Sequence, residues 1–265
     1  MNAGTIKLSH FSVKEYLVST HVEQYFGIDK KTSHSKISEL SIAYLLQFDD
    51  DSEPLTKDML DSMPLAEYAA EHWIDHAKSG AMDATVLQLI LRLFISESAP
   101  LTNWIRIYNI DAGWIKEHQN LSMNGADVCS ALYYSSLAGM EEVSDLLLHK
   151  GENANVEGGR YWNPLQAASC EGHEKSVKLL LKKGAEVNAE GGVYRNALQA
   201  ASIGGNEAIV KLLLKNGAEV NAEGGEYGNT LQAVSASYNV NEAIVKLLLE
   251  SGAKVNAGEI GRAHV

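Results

Sequence analysis

Two histidines spaced four residues apart on a predicted helix are the clearest candidates for chemistry in this sequence. His72 and His76 belong to the segment His72-Trp73-Ile74-Asp75-His76, and residues at i and i+4 share one face of a helix. Such a pair can bind one metal ion, and Asp75 stands where zinc proteases of the His-x-x-Glu-His pattern carry a glutamate. A metal-dependent hydrolase that uses His72 and His76 is therefore one candidate function.

Three features of the same segment weaken that hypothesis. Aspartate is one methylene shorter than the glutamate that serves as the base, and the sequence indicates no third metal ligand. Both histidines also fall on the apolar stripe of the helix that Pro64 is predicted to open. A partly buried, hydrogen-bonded histidine is the more common situation, so we expect neither a metal ion nor another cofactor.

Motifs for nucleophilic or phosphate chemistry do not occur elsewhere in the sequence. There is no Gly-x-Ser-x-Gly elbow and no Gly-x-x-x-x-Gly-Lys-[Ser/Thr] phosphate-binding loop. Cys129 lies near the start of the repeated part of the chain and Cys170 at the end of a predicted helix, so both are predicted to be packing or incidental thiols. Two cysteines are also too few for a disulfide framework. We therefore expect a protein that is not an enzyme and has no catalytic residue.

The overall charge excludes two further classes of partner. With 34 acidic and 22 basic side chains, the formal net charge is −12. Nucleic acids and anionic membrane surfaces both attract basic faces, so neither is an expected partner. The sequence contains no apolar run of about 18 residues and no signal peptide at its N-terminus. These observations predict a cytoplasmic protein.

A period of 33 residues governs the second half of the chain. It is carried by a leucine, a glycine and an asparagine in each unit: Leu132, Leu165, Leu198 and Leu231; Gly151, Gly184 and Gly217; Asn155, Asn188 and Asn221. A fourth unit is longer by two residues and places Gly252 and Asn256 at a spacing of 35. Such a period indicates a stack of two-helix units, none of which can bury its apolar face alone.

One unit shows why two helices are expected. Asn163 is a suitable N-cap, and Pro164 occupies the first helical position, where its missing N–H costs nothing. Gly172 provides the turn to a second helix, and Gly184 follows that helix, where glycine favours the left-handed end. The unit resembles the ankyrin repeat over its motifs Asn163-Pro164-Leu165-Gln166-Ala167-Ala168, Gly172-His173 and Gly184-Ala185-Glu186-Val187-Asn188-Ala189.

The ankyrin resemblance implies a solenoid of about four units over 124–258, with short β-hairpin fingers and a concave face that binds another protein. One departure concerns the family's Thr-Pro-Leu-His opening, whose threonine and histidine connect adjacent repeats by hydrogen bonds. Here Asn and Gln replace those two residues, as in Asn163 and Gln166. Whether they restore the bonds is left open by the sequence.

The fingers are the predicted partner-binding surface. Their glycines and tyrosine repeat, while the flanking positions change between units, which is typical of a tunable binding surface. The candidate residues are Arg160, Tyr161, Trp162, Val193, Tyr194, Arg195, Glu226 and Tyr227. An alternative is that the tyrosines only pack finger against finger. A passive structural scaffold likewise remains an alternative function.

The first part of the chain predicts an all-α region entered through a short strand. The phrases Leu8-Ser9-His10-Phe11-Ser12-Val13-Lys14-Glu15-Tyr16-Leu17 and Leu65-Ala66-Glu67-Tyr68-Ala69-Ala70-Glu71-His72-Trp73 resemble fungal NACHT–ankyrin proteins of the NLR-like STAND class. That resemblance implies the end of a winged helix over 1–24, a helical linker over 25–123, and a ligand-sensing fragment of a signalling protein whose ATPase lies elsewhere. Residues 259–265 resemble a translated sequencing adapter and are predicted to be foreign.

Overall fold

All regular structure in the described part of the chain is helical. The computed structural model describes residues 29–48, 55–95, 99–112, 119–224, 228–237 and 240–255. Within these ranges there are thirteen α-helices, one short 3-10 turn at Gly125–Asp127, and no strand. The all-α class is therefore confirmed. The strand predicted near the N-terminus, the segment 1–24 and the tail 259–265 lie outside the described residues.

The chain divides into two compact units, Met1–Tyr108 and Asn109–Val265. Within its described residues the first unit contains five helices: α1 (Lys30–Leu45), α2 (Lys57–Ser62), α3 (Ala66–Ser79), α4 (Ala84–Ile95) and α5 (Pro100–Ile107). The helix predicted to begin at Pro64 begins two residues later.

Three aromatic rings form the centre of the first unit. Trp73 meets Trp104 edge to face, with 5.2 Å between ring centroids, and Phe94 completes the cluster. The indole Nε1 of Trp104 donates to the Ala70 carbonyl at 2.9 Å, which satisfies the one polar atom that a buried tryptophan brings into a core.

Helices α1 and α3 lie close together because small residues face each other. Ser38 donates to the Trp73 carbonyl at 3.3 Å, and Ala69 and Ala70 are buried on the facing helix. Beyond the end of α3, a Cβ on Gly80 would lie 2.6 Å from the Ser35 amide nitrogen. The chain therefore needs glycine there, since no other residue permits so close an approach.

The second unit repeats a pair of antiparallel helices four times. The pairs are α6 (Ala131–Leu137) with α7 (Glu141–His149), α8 (Pro164–Cys170) with α9 (Glu174–Lys182), α10 (Ala197–Ile203) with α11 (Glu207–Lys215), and α12 (Thr230–Ala236) with α13 (Glu242–Glu250). The first helix of each pair also packs on the first helix of the next pair, so the helix pairs stack into a solenoid.

The asparagine at the start of each of the last three units is an N-cap, as predicted. Asn163 accepts a hydrogen bond from the Gln166 backbone amide at 2.8 Å, and Asn196 and Asn229 do the same in their units. The glutamines extend the contact: Gln166 Nε2 donates to the Ala189 carbonyl at 3.2 Å. Of the residues that depart from the family pattern, Gln166 and Gln199 therefore connect adjacent units, whereas the asparagines cap their own helices.

A second asparagine ties each unit to the next by two hydrogen bonds. Asn188 donates from Nδ2 to the Gly217 carbonyl at 3.0 Å, and its Oδ1 accepts from the Glu219 amide at 2.9 Å. Asn155 and Asn221 repeat this arrangement in the neighbouring units. The repeated asparagine of the 33-residue period is thus a connector between units.

Candidate protein-binding surface

Each finger of the second unit is a tight turn closed by one backbone hydrogen bond. The Gly158 amide donates to the Trp162 carbonyl at 2.6 Å, the Gly191 amide to Arg195 at 2.7 Å, and the Gly224 amide to Gly228 at 2.9 Å. In the described residues the predicted β-hairpins are present only as these turns, with a single bridge between Glu223 and Asn229. The reason is that consecutive glycines with positive φ, such as Gly158 (148°) and Gly159 (74°), reverse the chain within a few residues.

The last residue of each turn has left-handed backbone geometry. Trp162 has φ 78° and Arg195 has φ 69°, whereas the equivalent residue of the next finger is Gly228, with φ 82°. Among the described residues, Trp162 and Arg195 are the only non-glycine residues with positive φ. A side chain there costs about 1–2 kcal/mol relative to glycine, so two fingers retain a large side chain where the third has none.

These side chains cover the glycine that begins the next finger. A Cβ on Gly191 would overlap the ring of Trp162, and a Cβ on Gly224 would lie 2.9 Å from Arg195 Nε. Cys129 covers Gly158 in the same way, at 3.3 Å from Sγ. Trp162 and Arg195 are nevertheless half-exposed, so one side of each packs on a neighbouring finger and the other side faces solvent.

The two described finger tyrosines contact each other. Tyr161 and Tyr194 are stacked, with 5.9 Å between ring centroids and 28° between planes. Tyr161 is only 7% exposed, and its hydroxyl donates to Glu171 Oε1 at 3.1 Å. Burial, followed by the charges of Cys170 and Glu171, raises the pKa of Tyr161. Tyr161 therefore serves finger packing, while Tyr194 remains half-exposed.

A half-buried aspartate ahead of the first helix pair positions Arg160. Asp111 Oδ2 accepts from the Arg160 backbone amide at 2.7 Å, and Asp111 Oδ1 accepts from the Tyr133 hydroxyl at 2.6 Å. Arg160 also donates from Nη1 to the Ala112 carbonyl at 3.2 Å, and its Cζ lies 6.0 Å from the centroid of the Tyr161 ring. Sequence reasoning missed Asp111 because it lies before the repeats and belongs to no motif.

The remaining predicted finger residues differ in their contacts. Val193 is half-exposed, and its backbone amide donates to the Arg160 carbonyl at 3.1 Å, which joins one finger to the next. Arg195 pairs with Glu190 of its own finger. Glu226 and Tyr227 lie outside the described residues. The structure thus brings Arg160, Tyr161, Trp162, Val193, Tyr194 and Arg195 together along one continuous row.

Both thiols lie in environments that keep them protonated. Burial, with a smaller contribution from Asp111, raises the pKa of Cys129 to about 11. Burial and the charge of Glu171 raise the pKa of Cys170 to about 12. A thiol of this kind is a poor nucleophile at neutral pH because the thiolate is the reactive form.

The two histidines of the metal hypothesis both contact Tyr68 in the first unit. His76 is 2.9 Å from the Tyr68 hydroxyl through Nε2 and 2.7 Å from Nδ1 of His34 through its own Nδ1. His72 packs its ring edge to face on Tyr68 and lies 3.7 Å from Glu71. In the described part of the chain, no group of three or more His, Cys, Asp and Glu side chains is arranged to hold a metal ion.

Comparison with known sequences identifies the class of the second unit. The sequence model of the family described as "Ankyrin repeats (3 copies)" matches residues 107–191 and 188–259, which together exceed half of the chain. The chain therefore belongs to the ankyrin-repeat family.

One curated relative is a fungal protein. It is "Azaphilone pigments biosynthesis cluster protein L" of Monascus ruber, which is 36% identical over 153 residues. The match covers 55% of this chain and 32% of that protein, so the chain spans about a third of the length of this relative. Separately, none of the helices in the described ranges combines the length and the apolar character needed to span a bilayer.

Proposed function

We propose that this chain binds another protein through the finger row and the adjoining concave face of its ankyrin solenoid. Membership of the ankyrin-repeat family supports a protein–protein interaction module. Half-exposed Trp162, Tyr194 and Arg195 supply the aromatic and guanidinium groups that most often dominate the binding energy of protein interfaces.

The observation that carries this proposal is the identity of the left-handed residues. The equivalent position accepts glycine at Gly228, yet Trp162 and Arg195 occupy it in the other fingers at a cost in backbone energy. A turn that served only the fold would be more stable with glycine. The presence of two chemically different side chains, Trp162 and Arg195, supports a role for them in contacting a partner.

The rival function is a passive scaffold, and the contacts between fingers favour it. Tyr161 stacks on Tyr194, and Trp162 covers Gly191. If these contacts were the whole purpose of the side chains, their removal would weaken the stack and leave no other defect. The two proposals therefore differ in what a glycine substitution does to stability and to binding.

The test uses the full chain with Trp162→Gly and Arg195→Gly combined. Relief of the left-handed strain offsets part of the lost finger packing, so we expect the variant to fold and to keep its unfolding free energy, measured in urea, within about 1 kcal/mol of wild type. Affinity capture followed by quantitative mass spectrometry should then lose the proteins that wild type retains. The matched control is Lys182→Ala with Lys215→Ala, which removes two exposed charges from second helices.

Identical capture by wild type and the glycine variant would contradict the finger proposal. Loss of stability without change in capture would instead support the scaffold. The metal-dependent hydrolase has weaker support than either, because both ring nitrogens of His76 already lie within hydrogen-bond distance of other side chains.

We further propose that this solenoid is the ligand-sensing end of a cytoplasmic NACHT-type signalling protein of fungal type. The phrases near Leu8 and Leu65 support it by their resemblance to that class, and the fungal source of the relative is compatible with it. The genomic sequence upstream of Met1 tests this directly. An in-frame phosphate-binding loop is the expected result, and a promoter with a start codon at Met1 would contradict it.

A further inference from the structure

An imidazole pair joins helices α1 and α3 of the first unit. His34 of α1 and His76 of α3 face each other through their Nδ1 atoms at 2.7 Å, and their ring centroids are 4.9 Å apart. The other nitrogen of His76 is 2.9 Å from the Tyr68 hydroxyl. We call His34, His76 and Tyr68 the imidazole latch. It lies outside the ankyrin repeats and is not used by the proposed binding function.

The latch can hold one excess proton but not two. In the neutral pair, one Nδ1–H donates to the other Nδ1, and the Tyr68 hydroxyl can donate to Nε2 of His76. With one added proton on Nε2 of His76, the Tyr68 oxygen becomes the acceptor, so every group keeps a partner. With a second added proton, two cationic rings would point N–H at N–H across 2.7 Å, which is repulsive.

The segment that the latch holds has little apolar burial of its own. In the first two turns of α1, Lys30, Lys31, Thr32 and Lys36 are exposed, and Ile37 is only half-buried. The other ties of this segment are polar: Ser35 donates to the Ala81 carbonyl at 3.0 Å and accepts from the Ala81 amide at 2.6 Å. In contrast, Ile42 and Leu45 near the end of α1 are fully buried. The start of α1 can therefore open locally while its end stays packed.

The surrounding charges agree with this arrangement. Burial, then the neighbouring His34 and His72, lower the pKa of His76, and Asp75 acts in the opposite direction. On α1 the nearby charges are the exposed lysines, and Lys36 pairs with Glu39. The helices α4 and α5 contribute one arginine each: Arg92 is exposed, and Arg106 donates to Asn103.

We propose that the imidazole latch is a pH-sensitive switch that releases the first two turns of α1 when both His34 and His76 become protonated. The open form binds one proton more than the closed form. Opening therefore increases as pH falls through the ordinary range of histidine titration, by up to about tenfold per pH unit. Above that range the segment is closed.

The test measures amide hydrogen exchange on the full chain between about pH 7.5 and pH 5, the range in which histidine titrates. Protection factors of the amides at 32–37 should fall toward low pH by up to about tenfold per unit, while those at Ile42 and Leu45 stay constant. His34→Gln keeps a donor and an acceptor but does not titrate, so its protection should be independent of pH. The matched control is His149→Gln, an exposed histidine of α7 in the second unit whose ring contacts Asp145 and Lys183 instead of the latch residues, so the variant should behave as wild type.

Constant protection in wild type, or a His34→Gln variant as pH-dependent as wild type, would overturn the switch. If His34→Gln does not fold, the ring resonances of wild type provide a second measurement. The pair should titrate in two steps that appear in the signals of both rings. Two independent single-step titrations would reject the proposal.

Discussion

The hydroxyl of Tyr133 donates a 2.6 Å hydrogen bond to Asp111, a carboxylate that precedes the first helix pair of the solenoid. The same carboxylate accepts from the Arg160 amide in the first finger. Asp111 therefore joins the segment before the first helix pair, the first helix and the first finger through one half-buried carboxylate.

Loss of this carboxylate should destabilise the second unit. Asp111→Ala leaves two buried donors, Tyr133 Oη and Arg160 N, without their acceptor, which costs about 1–3 kcal/mol. Urea denaturation of the variant measures the loss. Asp127→Ala, at an exposed position, is the control and should change the unfolding free energy by less than about 0.5 kcal/mol. An equal effect of the two substitutions would contradict the role of Asp111.

The pH dependence of Asp111 has a definite sign. Burial raises the pKa of its carboxyl, although the hydrogen bonds from Tyr133 and Arg160 act against that shift. Because the pKa is raised in the folded state, protonation of Asp111 stabilises the fold. This stability from the pKa difference is complete below the unfolded pKa and is lost as pH rises through the folded pKa. The unfolding free energy of wild type relative to Asp111→Asn should thus decrease from about pH 3 upward, which urea titrations at several pH values would measure. An increase over this range would show that the shift has the opposite direction.

The asparagine connector predicts a selective loss of stability. Asn188→Ala removes one hydrogen bond to the Gly217 carbonyl and one from the Glu219 amide, at a cost of about 1–2 kcal/mol in total. Asn216→Ala is a suitable comparison because its one side-chain bond, to the Leu212 carbonyl, stays within its own helix. Thermal unfolding should separate the two variants, and equal midpoints would show that the connector contributes nothing.

A double-mutant cycle tests the contact between Trp162 and Gly191. Gly191→Ala places a methyl group on the Trp162 ring at a residue whose φ is 155°, so we expect a loss of more than about 1 kcal/mol. Trp162→Gly in the same chain should recover the part that comes from overlap. Gly184→Ala, where φ is 90° and the Cβ would contact nothing within 4 Å, measures backbone strain alone. Additive effects of Gly191→Ala and Trp162→Gly would exclude direct contact.

The thiols should react slowly until the second unit unfolds. Since burial raises the pKa of Cys129 to about 11 and that of Cys170 to about 12, little thiolate exists near neutral pH. Labelling with a thiol reagent should be slow in buffer and fast in urea. Rapid labelling of either cysteine in the folded protein would contradict these environments.

The repeat could be predicted from sequence because its characteristic residues act within their own segment and recur in every unit. Asn163 caps a helix within its own segment, and the glycine period marks turns that the backbone itself requires. The contacts of Asp111 and His34 could not be predicted in this way. Their partners are distant in sequence, and neither contact belongs to the repeated pattern. The backbone geometry of Trp162 was also missed, since nothing in its residue type favours a left-handed conformation.

The asparagine connector has a consequence for how this chain tolerates changes in length. Asn155 and Asn188 reach a glycine carbonyl 29 residues ahead, and Asn221 makes the same bond across 31 residues. The asparagine precedes the first helix of the pair and the glycine follows the second helix. The bond therefore stays intact although the last unit is two residues longer. The turn between paired helices is therefore where insertions can accumulate, or a reporter segment can be placed, without shifting the alignment of one repeat on the next.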